Sequence, residues 1–125
     1  MIDVTRLATR YAYYPDYGAP WERPEATGPM VKIQWGVRFA RLLDQLEVDL
    51  GRRLHADERR WLTASLPTWA ESIIANVERE YAQAWRHWRA SQSREARWML
   101  SEASSHRHAG WVLRACRLEA LRHLR

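Results

Sequence analysis

The chain of 125 residues has 46% hydrophobic and 28% charged side chains, a composition that excludes wholesale disorder and suits one globular domain around a single core. No run of eighteen apolar residues could span a bilayer, the start MIDVTRLATR lacks the apolar segment of a signal peptide, and Cys116 is the only cysteine, so an internal disulfide or a cysteine-built metal cluster is excluded and cytoplasmic residence is expected. The net charge of +5 is unevenly spread: residues 1–78 hold ten basic and eleven acidic side chains, residues 79–125 ten basic and four acidic, which points to an anionic partner for the C-terminal part.

Asp3 opens a short helical segment that runs to Arg10. The stretch YAYYPDYGAPWERPEATGP follows, and no helix passes through Pro15, Pro20, Pro24 and Pro29 so spaced. Its aromatics, Tyr11, Tyr13, Tyr14, Tyr17 and Trp21, carry too much apolar area for a free linker. Residues 1–29 are therefore expected to pack across the helices, the alternative being an arm that docks on a partner.

From Met30 to Leu50 the pattern is helical, with Pro29 at the entrance and Gly51 at the exit. Trp35, Phe39, Leu42, Leu43, Leu46 and Leu50 share one stripe. Ile33, Val37 and Val48 project from the other side and mark either a helix packed on two faces or a self-association surface. A second helix is predicted from Asp57 to Leu66, stopped by Pro67, and a third from the capping box Thr68-Trp-Ala-Glu71 to about Ala90. On the third, Trp85 and Trp88 lie on the same face as Ile74 and Val77, so Trp35, Phe39, Ile74, Val77, Trp85 and Trp88 are expected to be buried together. Trp85 is also one turn from Arg89, close enough for a cation–π pair.

Ser91 to Ser93 can cap a fourth helix whose buried stripe is Ala96, Met99, Leu100 and Ala103; Trp98 falls on the far side with Arg94, Arg97 and Ser101. Gly110 weakens the helical path, and a last helix is predicted from Trp111 to about Leu124, with Leu113, Cys116, Ala120 and Leu124 inward. The expected fold is all-α: residues 30–125 as a compact bundle of four to five helices, residues 1–29 packed across it, and 1–125 a single domain.

The chain lacks a phosphate-binding glycine loop and the HExxH, GxSxG and CxxC motifs, which removes the enzyme classes most readable from sequence. Glu102 with His106 and Glu119 with His123 share a helical face, but that spacing more often makes a simple charge pair, and no metal or cofactor is expected. Asp57 to Leu66 followed by the Thr68 helix resembles a helix-turn-helix in outline. Its second helix would bring Glu71 to the phosphates, which argues against DNA reading there.

Trp98 is the aromatic that the core leaves unexplained, and it lies among guanidinium groups. The expected partner-binding surface is Arg86, Arg89, Arg94, Arg97 and Trp98, extended by Arg107 and Arg114, and its partner a nucleic acid, a nucleoprotein complex or an acidic protein surface. On this reading the protein is a non-catalytic regulator or inhibitor. The alternative is a small helical enzyme or cofactor protein that uses its histidines and buried tryptophans around a cavity.

Overall fold

The structure, a computed structural model, describes residues 2–16 and 29–125. Five helices dominate it: α1 Thr5–Arg10, α2 Trp35–Leu50, α3 Ala56–Ser91, α4 Arg94–His106 and α5 Ala109–Leu124. Two short strands, β1 Tyr13–Pro15 and β2 Met30–Lys32, pair antiparallel with Tyr14 opposite Val31. No described helix is long and apolar enough to cross a membrane.

Met30 to Ile33 is thus extended rather than helical, and the physical reason lies in what it touches. Ile33 donates its N–H to the carbonyl of Ala12 at 2.8 Å and buries its branched side chain, and Trp35 Nε1 donates to the Tyr11 carbonyl at 2.9 Å. These bonds hold the N-terminal ribbon against α2 and delay the helix until Trp35. Burial also removes Ile33 from any self-association surface, leaving only Val37 and Val48 of the three exposed. At the other end Gly51 takes a left-handed φ of 68° and donates back to the Glu47 carbonyl, the C-terminal stop read from the sequence.

Pro67 does not stop a helix. It is buried inside α3, which runs unbroken for 36 residues. An internal proline loses one helical hydrogen bond and costs about 3 kcal/mol. Against that, Leu62, Leu66, Ala70 and Ile74 form a fully buried stripe that continues through the proline, and breaking the helix would expose half of it. The Thr68 capping box has no helix end to cap. Glu71 instead receives Arg6 at 3.0 Å and Arg10 at 3.7 Å, fastening α1 to α3. The true start of α3 is closed by Glu58, which accepts the His55 N–H at 2.7 Å and binds Arg52 at 2.9 Å.

The hydrophobic interior is divided. A main cluster joins Leu7, Tyr14, Trp35, Phe39, Leu46, Leu62, Ile74, Val112 and Cys116, drawn from β1 and every helix except α4. A smaller one consists of Ala84, Leu100 and Ala103, flanked by Tyr81, Trp85 and Trp88. Trp85 and Trp88 are therefore half-buried in a satellite between α3 and α4, not united with Trp35 and Phe39, and Val77 belongs to neither cluster. The reason is length. The first half of α3 saturates the bundle, and the periodic face of the second half has only α4 to meet.

The two-residue turn Gln92-Ser93 makes that meeting possible: Gln92 adopts φ 46°, and Ser93 Oγ accepts the Ala96 N–H at 3.1 Å. At the far end of α4 the chain breaks at Arg107 and restarts at Ala109, two residues before the predicted Trp111, because His108 Nδ1 caps α5 by accepting the Trp111 N–H at 3.2 Å. Of the N-terminal aromatics, Tyr14 is buried, Tyr11 half-buried and Tyr13 exposed; Tyr17 and Trp21 lie outside the described residues.

Candidate functional site

Arg86, Arg89 and Arg94 are exposed near the outer end of the α3/α4 hairpin, with Arg97 and Trp98 following on α4. Trp98 is 64% exposed, diametrically opposite the buried Ala96 and Leu100, as a 100° helical step requires. Arg89 holds its guanidinium 5.6 Å from the centre of the Trp85 ring. That anticipated cation–π pair spends one arginine face within the chain. A cleft between α3 and α4 is lined by Trp98 together with Glu80, Gln83, Ala84, Met99 and Glu102. The aromatic platform therefore has carboxylates on one flank, which sequence alone did not suggest.

Two residues assigned to this surface are elsewhere. Arg107 is only 19% exposed: its Nε donates to both Glu78 oxygens at 3.0 Å, and its guanidinium lies 4.9 Å from the Tyr81 ring and 5.8 Å from the Tyr14 ring. It joins the base of the hairpin to β1 and is not an open extension. The buried Tyr14 hydroxyl beneath it has no well-aligned hydrogen-bond partner among the described residues, and burial, reinforced by the neighbouring Glu78 carboxylate, pushes the phenol well above its ordinary pKa. Arg114 is exposed, but on α5, where it faces α2 across a separate groove.

That groove was missed. It gathers Arg38 and Arg41 from α2 with Arg114 and Arg117 from α5, over a floor that includes Leu42 and Leu113. The available signal was the repeated i, i+3 arginine spacing, 38/41 and 114/117, each pair beside an inward leucine. Pairing α2 with α5 required the fold.

No protein family, curated protein or solved structure matches the chain.

His106 and His123 are engaged locally, whereas the His87 ring is exposed. His123 Nε2 lies 3.1 Å from Glu119, and its ring packs against both Trp61 and Trp69, at 5.4 and 5.8 Å, as the third member of a triangle whose two indoles are 5.3 Å apart. His106 stacks on Trp111 at 4.4 Å, and its Nδ1 is 3.2 Å from Glu80, not Glu102, close in distance yet without hydrogen-bond alignment. Among the described residues no three His, Cys, Asp or Glu side chains converge as metal ligands. Burial pushes the Cys116 thiol up to about 12, so at neutral pH it is neither thiolate nor accessible nucleophile.

Proposed function

We propose that the protein is a non-catalytic binding protein that engages an acidic surface of a partner protein through the outer end of the α3/α4 hairpin, acting as a regulator or inhibitor. The observation that carries this reading is Trp98: a large indole left mostly in solvent at the edge of the α3/α4 cleft, on the same helix as Arg94 and Arg97. Residues 85–98 hold four arginines and a single glutamate, Glu95. Tryptophan and arginine together are the side chains that dominate interface energetics, because each buries large area and arginine forks onto carboxylates.

A nucleic acid is the second reading, supported by the arginine excess alone. The cleft beside Trp98 favours protein, because Glu80 and Glu102 stand where a phosphodiester chain stacked on the indole would bring its charge. A protein surface can offer carboxylates to Arg86 and Arg94 and a neutral or basic group to that cleft. The test is capture of cellular partners by the native protein in parallel with Arg86→Glu/Arg94→Glu and with Trp98→Ala, alongside titration with a single-stranded oligonucleotide. Loss of a protein partner with both variants, with weak oligonucleotide binding, supports the reading. Unchanged capture of every partner removes it.

A further inference from the structure

The arginine groove between α2 and α5 stands apart from the hairpin and has its own geometry. The two helices run side by side in the same direction: Arg38, at the start of α2, lies near His108 at the start of α5, and Asp49, at the end of α2, meets Arg117 midway along α5. Arg38 is tied to Asp16 at 3.1 Å, and Arg117 donates to Asp49 from Nε and Nη2 at 2.7 Å. Arg41 and Arg114, between those anchored pairs, are exposed and have no carboxylate partner among the described residues. Two fixed guanidinium groups thus bracket two unneutralised ones over leucine side chains. Gly110 completes the floor at the first turn of α5, where the helix presents its positive end. A Cβ there would come within 3.2 Å of the His108 ring, so this part of the floor stays low.

We propose that this groove binds a short acidic peptide segment of a partner protein, with an aliphatic side chain on Leu42 and Leu113 and flanking carboxylates on Arg41 and Arg114. Charge complementarity sets the sign of the occupant, and its class follows from the walls. Among the described residues no aromatic side chain lines the groove, so its described walls offer bases no stacking surface. Asp16 and Asp49 lie at its two ends and repel a polyanion that continues past them, which restricts the charge to the middle. From Arg38 to Gln45 the α2 wall extends about 10 Å along the helix axis. About three residues of extended chain cover that length.

The experiment titrates a fluorescein-labelled, end-blocked peptide with a glutamate-leucine-glutamate centre into the full chain and follows anisotropy. Its glutamine-leucine-glutamine counterpart and an oligothymidylate run alongside. Binding that requires the glutamates, weakens by about tenfold or more in Arg41→Glu/Arg114→Glu, and is unchanged in Arg86→Glu/Arg94→Glu is expected. Backbone amide spectra of the native protein should show Gln45 and Gly110 shifting with peptide, a readout independent of any variant. Failure of the native protein to bind the peptide overturns the proposal, as does equal affinity in the Arg41/Arg114 variant or a groove-dependent preference for oligothymidylate. Loss of peptide binding only in the Arg86/Arg94 variant overturns the groove while leaving the hairpin reading in place.

Discussion

His108 illustrates how one side chain ties protonation to fold. Its Nδ1 accepts the Trp111 N–H, so the cap exists only while the ring is unprotonated at that nitrogen. Burial, with the nearby His106 and Arg38, lowers its pKa below the ordinary value despite the opposing Asp16. A depressed folded pKa means that this contribution to stability is complete above the unfolded value of about 6.5 and is lost as pH falls through the folded one. His108→Ala should cost about 1 kcal/mol at neutral pH. The variant should also lose less stability than the native chain on acidification to about pH 5, read from thermal melts across the range. Arg107 and Arg94 make a second contrast. Arg107→Met strips Glu78 of its partner beside the buried Tyr14 hydroxyl and should destabilise by about 1–3 kcal/mol. Arg94→Glu, at an exposed position, should change stability by less than about 0.5 kcal/mol in denaturant unfolding. The sequence cannot separate these two arginines, because Glu78 is 29 residues away from Arg107 and only the fold brings them together.

Helix periodicity reported what each helix buries but not what it buries it against. The stripes Trp35/Phe39/Leu42/Leu43/Leu46 and Ala96/Leu100/Ala103 are buried as read, with Leu50 and Met99 only half-buried, and Gly51 and Ser93 end and begin helices where capping chemistry places them. Pro67 and the strand at Met30 were misread for one reason: a local rule worth a few kcal/mol was outweighed by tertiary burial that no local window contains. The same limit applied to Trp85 and Trp88, whose spacing marks them as inward without naming the satellite that receives them. Phe39→Ala, in the main cluster, should cost about 3–5 kcal/mol and lower amide exchange protection throughout the bundle. Trp88→Ala should cost about 1–3 kcal/mol, its indole being half-buried. Its exchange protection should fall in α4 and the second half of α3 while α2 and α5 keep theirs; uniform loss in both variants would mean one cooperative core.

The proportions of the whole follow from α3. Thirty-six residues make a helix about 54 Å long, whereas a compact chain of this size has a radius of gyration near 14 Å and a diameter of about 36 Å. Solution scattering should therefore give a maximum dimension of at least about 54 Å, and a profile fitted by a sphere of the smaller size would contradict a continuous α3. The candidate surfaces divide along the same line, since the hairpin end was partly readable from its clustered arginines and Trp98, and the α2/α5 groove was not, its walls being some seventy residues apart in the chain. One helix is both a wall of the main cluster and the spine of the hairpin, and Pro67 lies within the former, so no joint separates the two. The outer end is consequently presented in a fixed attitude. A partner meeting Trp98 would not have to immobilise a swinging appendage, and the entropy usually surrendered at encounter would already have been spent during folding.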